Sequence, residues 1–257
     1  MQLFATCMPC QIELGHPSFE LFFVPYFEDR IAPIQCSRGH KSVVILQSQK
    51  FEVLLESGAN ALTAGFTLEA SATFYAALER FFEFAAKVML MHQGMSNTIY
   101  EQMFKEMARQ SERQIGSFMA LHALVFGAAY VPNKEITPFR NAVIHKGEIP
   151  TPAEARKFGK NIYSEIYRTS NLVRQHCHTA INTVISEDLR VRRGKIPTGT
   201  SVAVAAQMGL YSLAAADNKA DFDDALEAYV KARDMMSRSA PEMKALYDTL
   251  FPQRSDI

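Results

Sequence analysis

The chain lacks several features that would assign it to a common class of protein. Its 257 residues contain no tryptophan and no run of 18 consecutive apolar residues, so no transmembrane helix is predicted. The sequence also lacks a Walker-type phosphate loop, a GxGxxG turn after a strand and an HExxH helix. Chemistry that depends on ATP, on NAD or on a zincin-type centre therefore has no support.

The formal net charge of the chain is zero, and no signal peptide is predicted. The 27 basic and 27 acidic residues cancel, so no overall charge draws the chain to nucleic acid, and such binding would need a local cluster. The N-terminus lacks the basic region and apolar core of a signal peptide, which predicts a cytoplasmic protein. A hydrophobic content of 48% with 21% charged residues indicates a folded globular chain.

Cysteine is scarce and unevenly distributed. Three of the four cysteines fall in the first 36 residues, as a CxxC pair at Cys7 and Cys10 and a CxxxH pair at Cys36 and His40. Two turns that each offer two such ligands can close a tetrahedron around Zn²⁺, so these four residues are the predicted ligands of a structural zinc ion. The pattern resembles a zinc ribbon. His16 is an alternative fourth ligand, and a Cys7–Cys10 redox pair or simple burial of the cysteines is an alternative role.

The segment that carries these ligands has the composition of short strands. Branched and aromatic residues are concentrated at residues 12–14, 19–26 and 42–46, which indicates three strands. A module this small buries too little apolar surface to be stable alone, so a metal staple is expected. We predict a small zinc-ribbon-like β module over residues 1–48.

From residue 49 onward, apolar residues recur at helical spacing. Thr151, Pro152 and Glu154 form the pattern of an N-cap, a proline in the first turn and a capping box. The fold class is therefore mainly α, with a helical domain over residues 49–257 after the β module. Predicted helices cover residues 49–65, 67–92, 96–116 or beyond, 138–147, 152–189, 201–216 and 220–236, with a last one from residue 241.

One short segment places an arginine, an amide and a histidine within six residues. Arg140, Asn141 and His145 lie in a predicted helix that begins at Thr137 and Pro138 and is capped by Gly147. On an ideal helix Arg140 and His145 are about 140° apart, so they meet only if Arg140 reaches across or the helix frays. Alternatively, a second copy of the helix across a twofold axis would join the two pairs into one cleft.

The order of Arg140, Asn141 and His145 in a helical setting resembles the motif of the HEPN superfamily. Many members are metal-independent ribonucleases that work as homodimers, with both motifs lining one RNA cleft. The resemblance implies a HEPN-like helical bundle with Arg140 and His145 catalytic, Asn141 supporting them and no cofactor for catalysis. The side chains suit that role, because histidine transfers protons near neutral pH and arginine stabilises a developing phosphorane charge. The 2′-OH of RNA would be the nucleophile, which implies a cyclic phosphate product.

The resemblance extends to residues 77–84, which are similar to the first long helix of HEPN domains. An acidic residue there faces the cleft, so Glu79 or Glu83 is expected to orient Arg140; an exposed helical charge pattern is the alternative. Family members often act as toxins or anti-phage defence effectors. An antitoxin or a sensor protein is therefore a further class of partner that the resemblance implies, beside RNA and a second copy of the chain.

The dense basic run near residue 190 is the best candidate for contact with RNA phosphates. Arg190, Arg192 and Arg193, together with Lys146 beside the motif, are the predicted RNA-binding residues. The same run would also suit the end of a helix, where the dipole favours cations.

Two other functions are compatible with these residues. One is a non-catalytic HEPN-type module that binds RNA, a nucleotide or a protein. The other is a zinc-ribbon adaptor whose helical part only dimerises, in which case substitution of Arg140 would have no effect.

Overall fold

The computed structural model describes residues 2–16, 20, 22–206 and 209–250. These residues form two compact units. The first unit comprises Met1–Gln47, Leu189–Met208 and Glu227–Ile257, and the second comprises Ser48–Asp188 and Gly209–Leu226. The division differs from the predicted one, because two later segments group with the N-terminal residues. No helix of the described residues is long and apolar enough to cross a membrane.

The first unit contains two small sheets. Its elements before residue 48 are β1 (Gln2–Ala5), α1 (Met8–Leu14), β2 (Phe22–Pro25), β3 (Ile31–Gln35) and β4 (Lys41–Leu46), and β5 (Ser201–Ala205) joins them later. β1 and β2 form an antiparallel pair. The other sheet has the order β3-β4-β5, with β3 antiparallel and β5 parallel to β4. Alternate residues of β3 are buried, as expected for a strand with one face on a core.

The third strand of this sheet contradicts the predicted helix over residues 201–216. β5 pairs in parallel with β4 from Ser42 opposite Ser201 to Leu46 opposite Ala205. The Gln47 backbone N–H continues the pairing by donating to the Ala205 carbonyl at 2.7 Å. Val202 and Val204 favour a strand and the neighbouring alanines favour a helix, so the local sequence is ambiguous and the pairing with β4 decides for the strand.

The N-terminal strand predictions are partly confirmed. Residues 42–46 form β4, and the strand predicted over residues 19–26 is found at β2, with residues 19 and 21 outside the described part. Residues 12–14 are helical instead, because α1 continues from its first turn at Pro9 until Gly15 ends it with a φ of 71°. Gly15 adopts the left-handed conformation that commonly ends helices.

Helices dominate the rest of the chain, which confirms the mainly α fold. They are α2 (Lys50–Thr63), α3 (Thr67–His92), α4 (Asn97–Met107), α5 (Ser111–Phe126), α6 (Ile136–Lys146), α7 (Pro152–Arg193) and α8 (Phe222–Leu250). The Thr151 capping box is present, since Glu154 Oε2 accepts the Thr151 backbone N–H at 2.8 Å. The single helix predicted from residue 96 is broken between α4 and α5, and α8 continues through residue 241, where the sequence predicts a new start.

The core of the second unit is built from phenylalanine and tyrosine rings, in a chain without tryptophan. Its fully buried rings are Phe51, Phe74, Phe81, Phe118, Tyr163, Tyr211 and Phe222. The Phe74 ring of α3 lies between Gly58 of α2 and Gly159 of α7. A Cβ atom at Gly58 would lie 2.7 Å from this ring, and one at Gly159 would lie 2.8 Å from it. These two glycines therefore let two helices approach the ring closely.

Candidate active site and metal centre

Contacts with α7 hold the helix that carries the Arg-Asn-His motif, α6. The Phe139 ring stacks on Phe158 with centroids 4.4 Å apart. Just before α6, Glu135 forms an ion pair with Lys157 at 3.0 Å and accepts the side-chain N–H of Asn161 at 3.0 Å. The hydrogen bond from Lys157 is the main reason that the pKa of Glu135 lies below its ordinary value. One apolar and one polar anchor thus fix the start of α6.

The C-terminal end of α6 lies where the sequence predicts it, and the N-terminal end does not. Gly147 caps the helix in the left-handed conformation with a φ of 70°, as predicted. The helix begins at Ile136, slightly before the predicted start, with Glu135 rather than Thr137 as the N-cap residue.

Arg140 and His145 meet within a single protomer. Arg140 Nη1 lies 2.6 Å from His145 Nε2 and 3.1 Å from Asn141 Oδ1. The helix wheel separates the two residues, as expected, and the long arginine side chain reaches across. Because a guanidinium only donates hydrogen bonds, Nε2 of His145 is the acceptor, and the ring proton is assigned to Nδ1. His145 is exposed, so this nitrogen pair lies at the surface of the unit.

An aromatic ring from α3 supports the guanidinium. Arg140 Cζ lies 4.8 Å from the centroid of the Tyr75 ring, which is the distance of a cation–π contact. Arg140 Nε is buried and has no hydrogen-bond partner among the described residues. Tyr75 was not among the predicted site residues, although it lies four residues before Glu79 and therefore on the same face of α3.

Of the two acidic residues considered for Arg140, Glu79 is the better placed. Glu83 forms an ion pair with Arg80 at 2.5 Å. Glu79 is half-buried, and burial is the main reason that its pKa is raised. The positive charges of Arg80 and Arg140 oppose this rise, so Glu79 interacts electrostatically with the motif arginine.

The predicted RNA-binding arginines differ in exposure. Arg190 and Arg193 are exposed, and so is Lys146 at the end of α6. Arg192 is only 3% exposed, and its guanidinium donates to the Leu46 carbonyl at the end of β4. Arg192 therefore serves the fold of the first unit, and the prediction that it binds RNA is corrected by its burial.

The first unit brings together the four predicted metal ligands. Cys7 and Cys10 lie at the N-terminus of α1, while Cys36 and His40 lie in the turn between β3 and β4. The ligand atoms are all within 4.8 Å of one another. His40 Nδ1 is 3.2 Å from Cys10 Sγ, 3.5 Å from Cys36 Sγ and 3.9 Å from Cys7 Sγ. The fourth residue of the group is thus His40, not the alternative His16.

The backbone of the turn between β3 and β4 directs an N–H group at the sulfur of Cys36. The Gly39 φ of 84° permits the reversal, and the His40 N–H points at Cys36 Sγ from 3.3 Å. Burial alone would raise the pKa of the Cys36 thiol, but hydrogen bonds from the His40 backbone N–H, the Cys10 side chain and the Arg38 backbone N–H lower it to about 7. The pKa of the Cys10 thiol changes in the opposite direction, because burial raises it to about 12.

The distances among these atoms, none above 4.8 Å, are close to those around a tetrahedral metal ion. Metal–sulfur bonds of about 2.3 Å and metal–nitrogen bonds of about 2.0 Å separate tetrahedral ligands by roughly 3.5–3.8 Å. The Cys10 and Cys36 sulfurs are 3.6 Å apart, and no disulfide involves any of the four cysteines. The group can therefore bind a metal ion.

The His176-Cys177-His178 sequence is not a second metal site. Cys177 is buried while both histidines are exposed, and Cys177 lies at a kink of α7 with non-helical dihedral angles (φ −121°, ψ 25°). The three side chains therefore do not converge on one point. Among the described residues, the group of Cys7, Cys10, Cys36 and His40 is the one suited to a metal ion.

No family model, characterised protein or solved structure matches this chain. Its function is therefore inferred from the two groups of side chains just described, one in each unit.

Proposed function

We propose that this chain is a metal-independent endoribonuclease of the HEPN type. The contact between Arg140 Nη1 and the exposed His145 Nε2, 2.6 Å long, is the observation that carries the proposal. It joins a permanent cation to a group that can transfer a proton, and Asn141 fixes the same guanidinium nitrogen at 3.1 Å.

In the proposed reaction, the guanidinium of Arg140 binds the scissile phosphate of RNA. The phosphate competes for the Nη1–H that now points at His145, and Nε2 becomes free to accept the proton of the 2′-OH. The 2′-oxygen forms a bond to phosphorus, and the bond from phosphorus to the 5′-oxygen breaks. Arg140 stabilises the charge that develops on the phosphorane oxygens. The products are a 2′,3′-cyclic phosphate and a 5′-OH.

The leaving 5′-oxygen requires a proton, and in a homodimer a second His145 that carries a proton on Nε2 would donate it. Lys146, in the last turn of α6, would attract RNA phosphate near the pair, and Arg190 and Arg193 are further candidates for phosphate contact. A role as a toxin or anti-phage effector in the cytoplasm, controlled by an antitoxin or sensor protein, is the biological setting of this proposal.

We propose that the metal ion of the first unit is Zn²⁺ with a structural role. A group of three cysteines and one histidine is typical of closed structural zinc sites, which leave no position for substrate. Metal analysis of the purified chain should find one zinc per chain in the wild type and a loss of zinc in Cys36→Ser. Equal zinc contents in the two proteins would contradict this assignment.

The ribonuclease proposal is tested with zinc-loaded protein and end-labelled RNA, with EDTA present only during the assay. His145→Ala and Arg140→Ala should each lower the cleavage rate by about 10²–10⁴-fold, the usual contribution of such groups. His178→Ala and Arg109→Ala are matched controls, because both residues are exposed and lie elsewhere in the second unit. They should cleave at the wild-type rate, and end-group analysis should find cyclic phosphate.

One observation favours a second function, a non-catalytic module that binds RNA. Nε2 of His145 is occupied by Arg140, so the base is not free in the absence of RNA. Binding of RNA without cleavage by the wild type, weakened in Arg140→Ala, would select this second function. Cleavage that persists in both site variants would refute the role of the pair.

A further inference from the structure

A carboxylate outside the four ligands contacts the candidate metal group. Glu13 lies on α1, three residues after Cys10, and its Oε1 is 2.9 Å from His40 Nε2. Its other oxygen, Oε2, is 3.1 Å from the guanidinium of Arg38. Glu13 therefore links the helix that carries two of the cysteines to the turn that carries Cys36 and His40.

This contact gives the two nitrogens of the His40 ring different roles. Nδ1 faces the three sulfurs at 3.2–3.9 Å, while Nε2 faces Glu13. A carboxylate accepts hydrogen bonds, so Nε2 carries the proton and Nδ1 keeps its lone pair for a metal ion. A histidine that binds a metal commonly donates its other N–H to a carboxylate, which fixes the ring and makes the ligating nitrogen more basic.

The charges around the group are arranged to tolerate this extra carboxylate. Three thiolates and one Zn²⁺ have a net charge of −1, and Glu13 adds another negative charge. Arg38 offsets it through its ion pair with Glu13. The Glu13 side chain is 47% exposed, so water also screens the charge. Glu13 can therefore orient the His40 ring at little electrostatic cost.

We propose that Glu13 is a positioning residue for the metal ion and increases zinc affinity by holding His40 in the ligating orientation. The inference rests on the proposed zinc site and adds a residue that its ligand pattern does not contain. The chain also provides a matched control. Glu20 accepts hydrogen bonds from the Ser37 backbone N–H at 3.1 Å and from the Ser37 hydroxyl at 2.9 Å. Glu20 thus contacts the same turn without contacting a metal ligand.

The test measures zinc affinity of the full chain by competition with a chromophoric chelator. Glu13→Ala should weaken zinc binding by about 10–100-fold, the usual effect of losing such a partner. Glu13→Gln should retain more affinity than Glu13→Ala, because the amide oxygen still accepts the Nε2–H. Glu20→Gln should bind zinc as the wild type does. In zinc-loaded wild type, nitrogen NMR should find His40 protonated at Nε2.

Zinc binding by Glu13→Ala equal to that of the wild type would overturn the inference while leaving the zinc site intact. An equal loss in Glu20→Gln would also overturn it, because the effect would then come from the turn and not from His40. A wild type that binds no zinc would refute the metal site itself, and Glu13 with it. Far-UV circular dichroism of each variant verifies that the fold is retained.

Discussion

Substitution of Gly58 by alanine should destabilise the second unit, although alanine is the better helix former. The Cβ atom would lie 2.7 Å from Phe74 Cδ1 and 2.8 Å from Cε1, whereas carbon atoms in ordinary contact are about 3.5–4.0 Å apart. The ring must therefore move by about 1 Å. Its opposite edge faces Gly159, where a Cβ atom would be only 2.8 Å from Phe74 Cε2, so little space is available for that movement.

The expected change in the free energy of unfolding for Gly58→Ala is the difference between two opposing effects. Replacing glycine by alanine in a helix stabilises it by about 1 kcal/mol, and overpacking a core costs about 1–3 kcal/mol. Because the ring is held on both edges, the cost should lie in the upper part of that range. Gly58→Ala should then lower the free energy of unfolding by about 1–2 kcal/mol.

Gly116→Ala is the matched control for this substitution. Gly116 lies in α5, it is exposed, and a Cβ atom added there would meet no atom within 4 Å. This variant should be more stable than the wild type by about 0.5–1 kcal/mol, measured by urea unfolding followed by circular dichroism. In a Phe74→Leu background, Gly58→Ala should lower the free energy of unfolding by less than it does in the wild type. If Gly58→Ala and Gly116→Ala proved equally stabilising, the close contact at Phe74 would be refuted.

Two further predictions concern the neighbours of the motif arginine. Tyr75→Leu should slow RNA cleavage while Tyr75→Phe should not, because the ring face and not the hydroxyl contacts Arg140; equal rates for both variants would refute this role. Burial raises the pKa of Glu79 above its ordinary 4.5, so its ionisation costs stability as the pH rises through the raised pKa. Glu79→Gln should therefore be more stable than the wild type at pH 7, and the difference should disappear below pH 4.5; unfolding curves at both pH values test this.

Local patterns were sufficient to predict much of the fold and both candidate sites. The bounds of α2 and α3 follow from apolar periodicity, and the capping box at Thr151 follows from four consecutive residues. The group of candidate metal ligands was predictable because two short motifs contain all four residues. Such features depend on neighbours in sequence, which is why they are visible without a structure.

The structural features that could not be predicted from the sequence depend on contacts between residues far apart in the chain. β5 is a strand because β4 pairs with it, and nothing near residue 201 encodes that partner. Arg192 resembles the exposed arginines beside it, yet Leu46 provides a buried acceptor for it. The role of Tyr75 likewise depends on α6 packing against α3. In each case tertiary structure decides between states that local propensity leaves open.

The parallel pairing of β4 with β5 has a consequence for synthesis of the chain. The ribosome releases β4 long before β5, so residues 47–200 emerge while one edge of β4 has no strand beside it. That edge carries the backbone of Val43, Val44 and Ile45, and an unpaired edge of this kind is a template for pairing with other chains. The four candidate metal ligands, by contrast, are all present once His40 has emerged. The nascent N-terminal segment therefore carries these four residues early, but its sheet is completed only after Ala205 has been synthesised. Until then the open edge of β4 can pair with other chains.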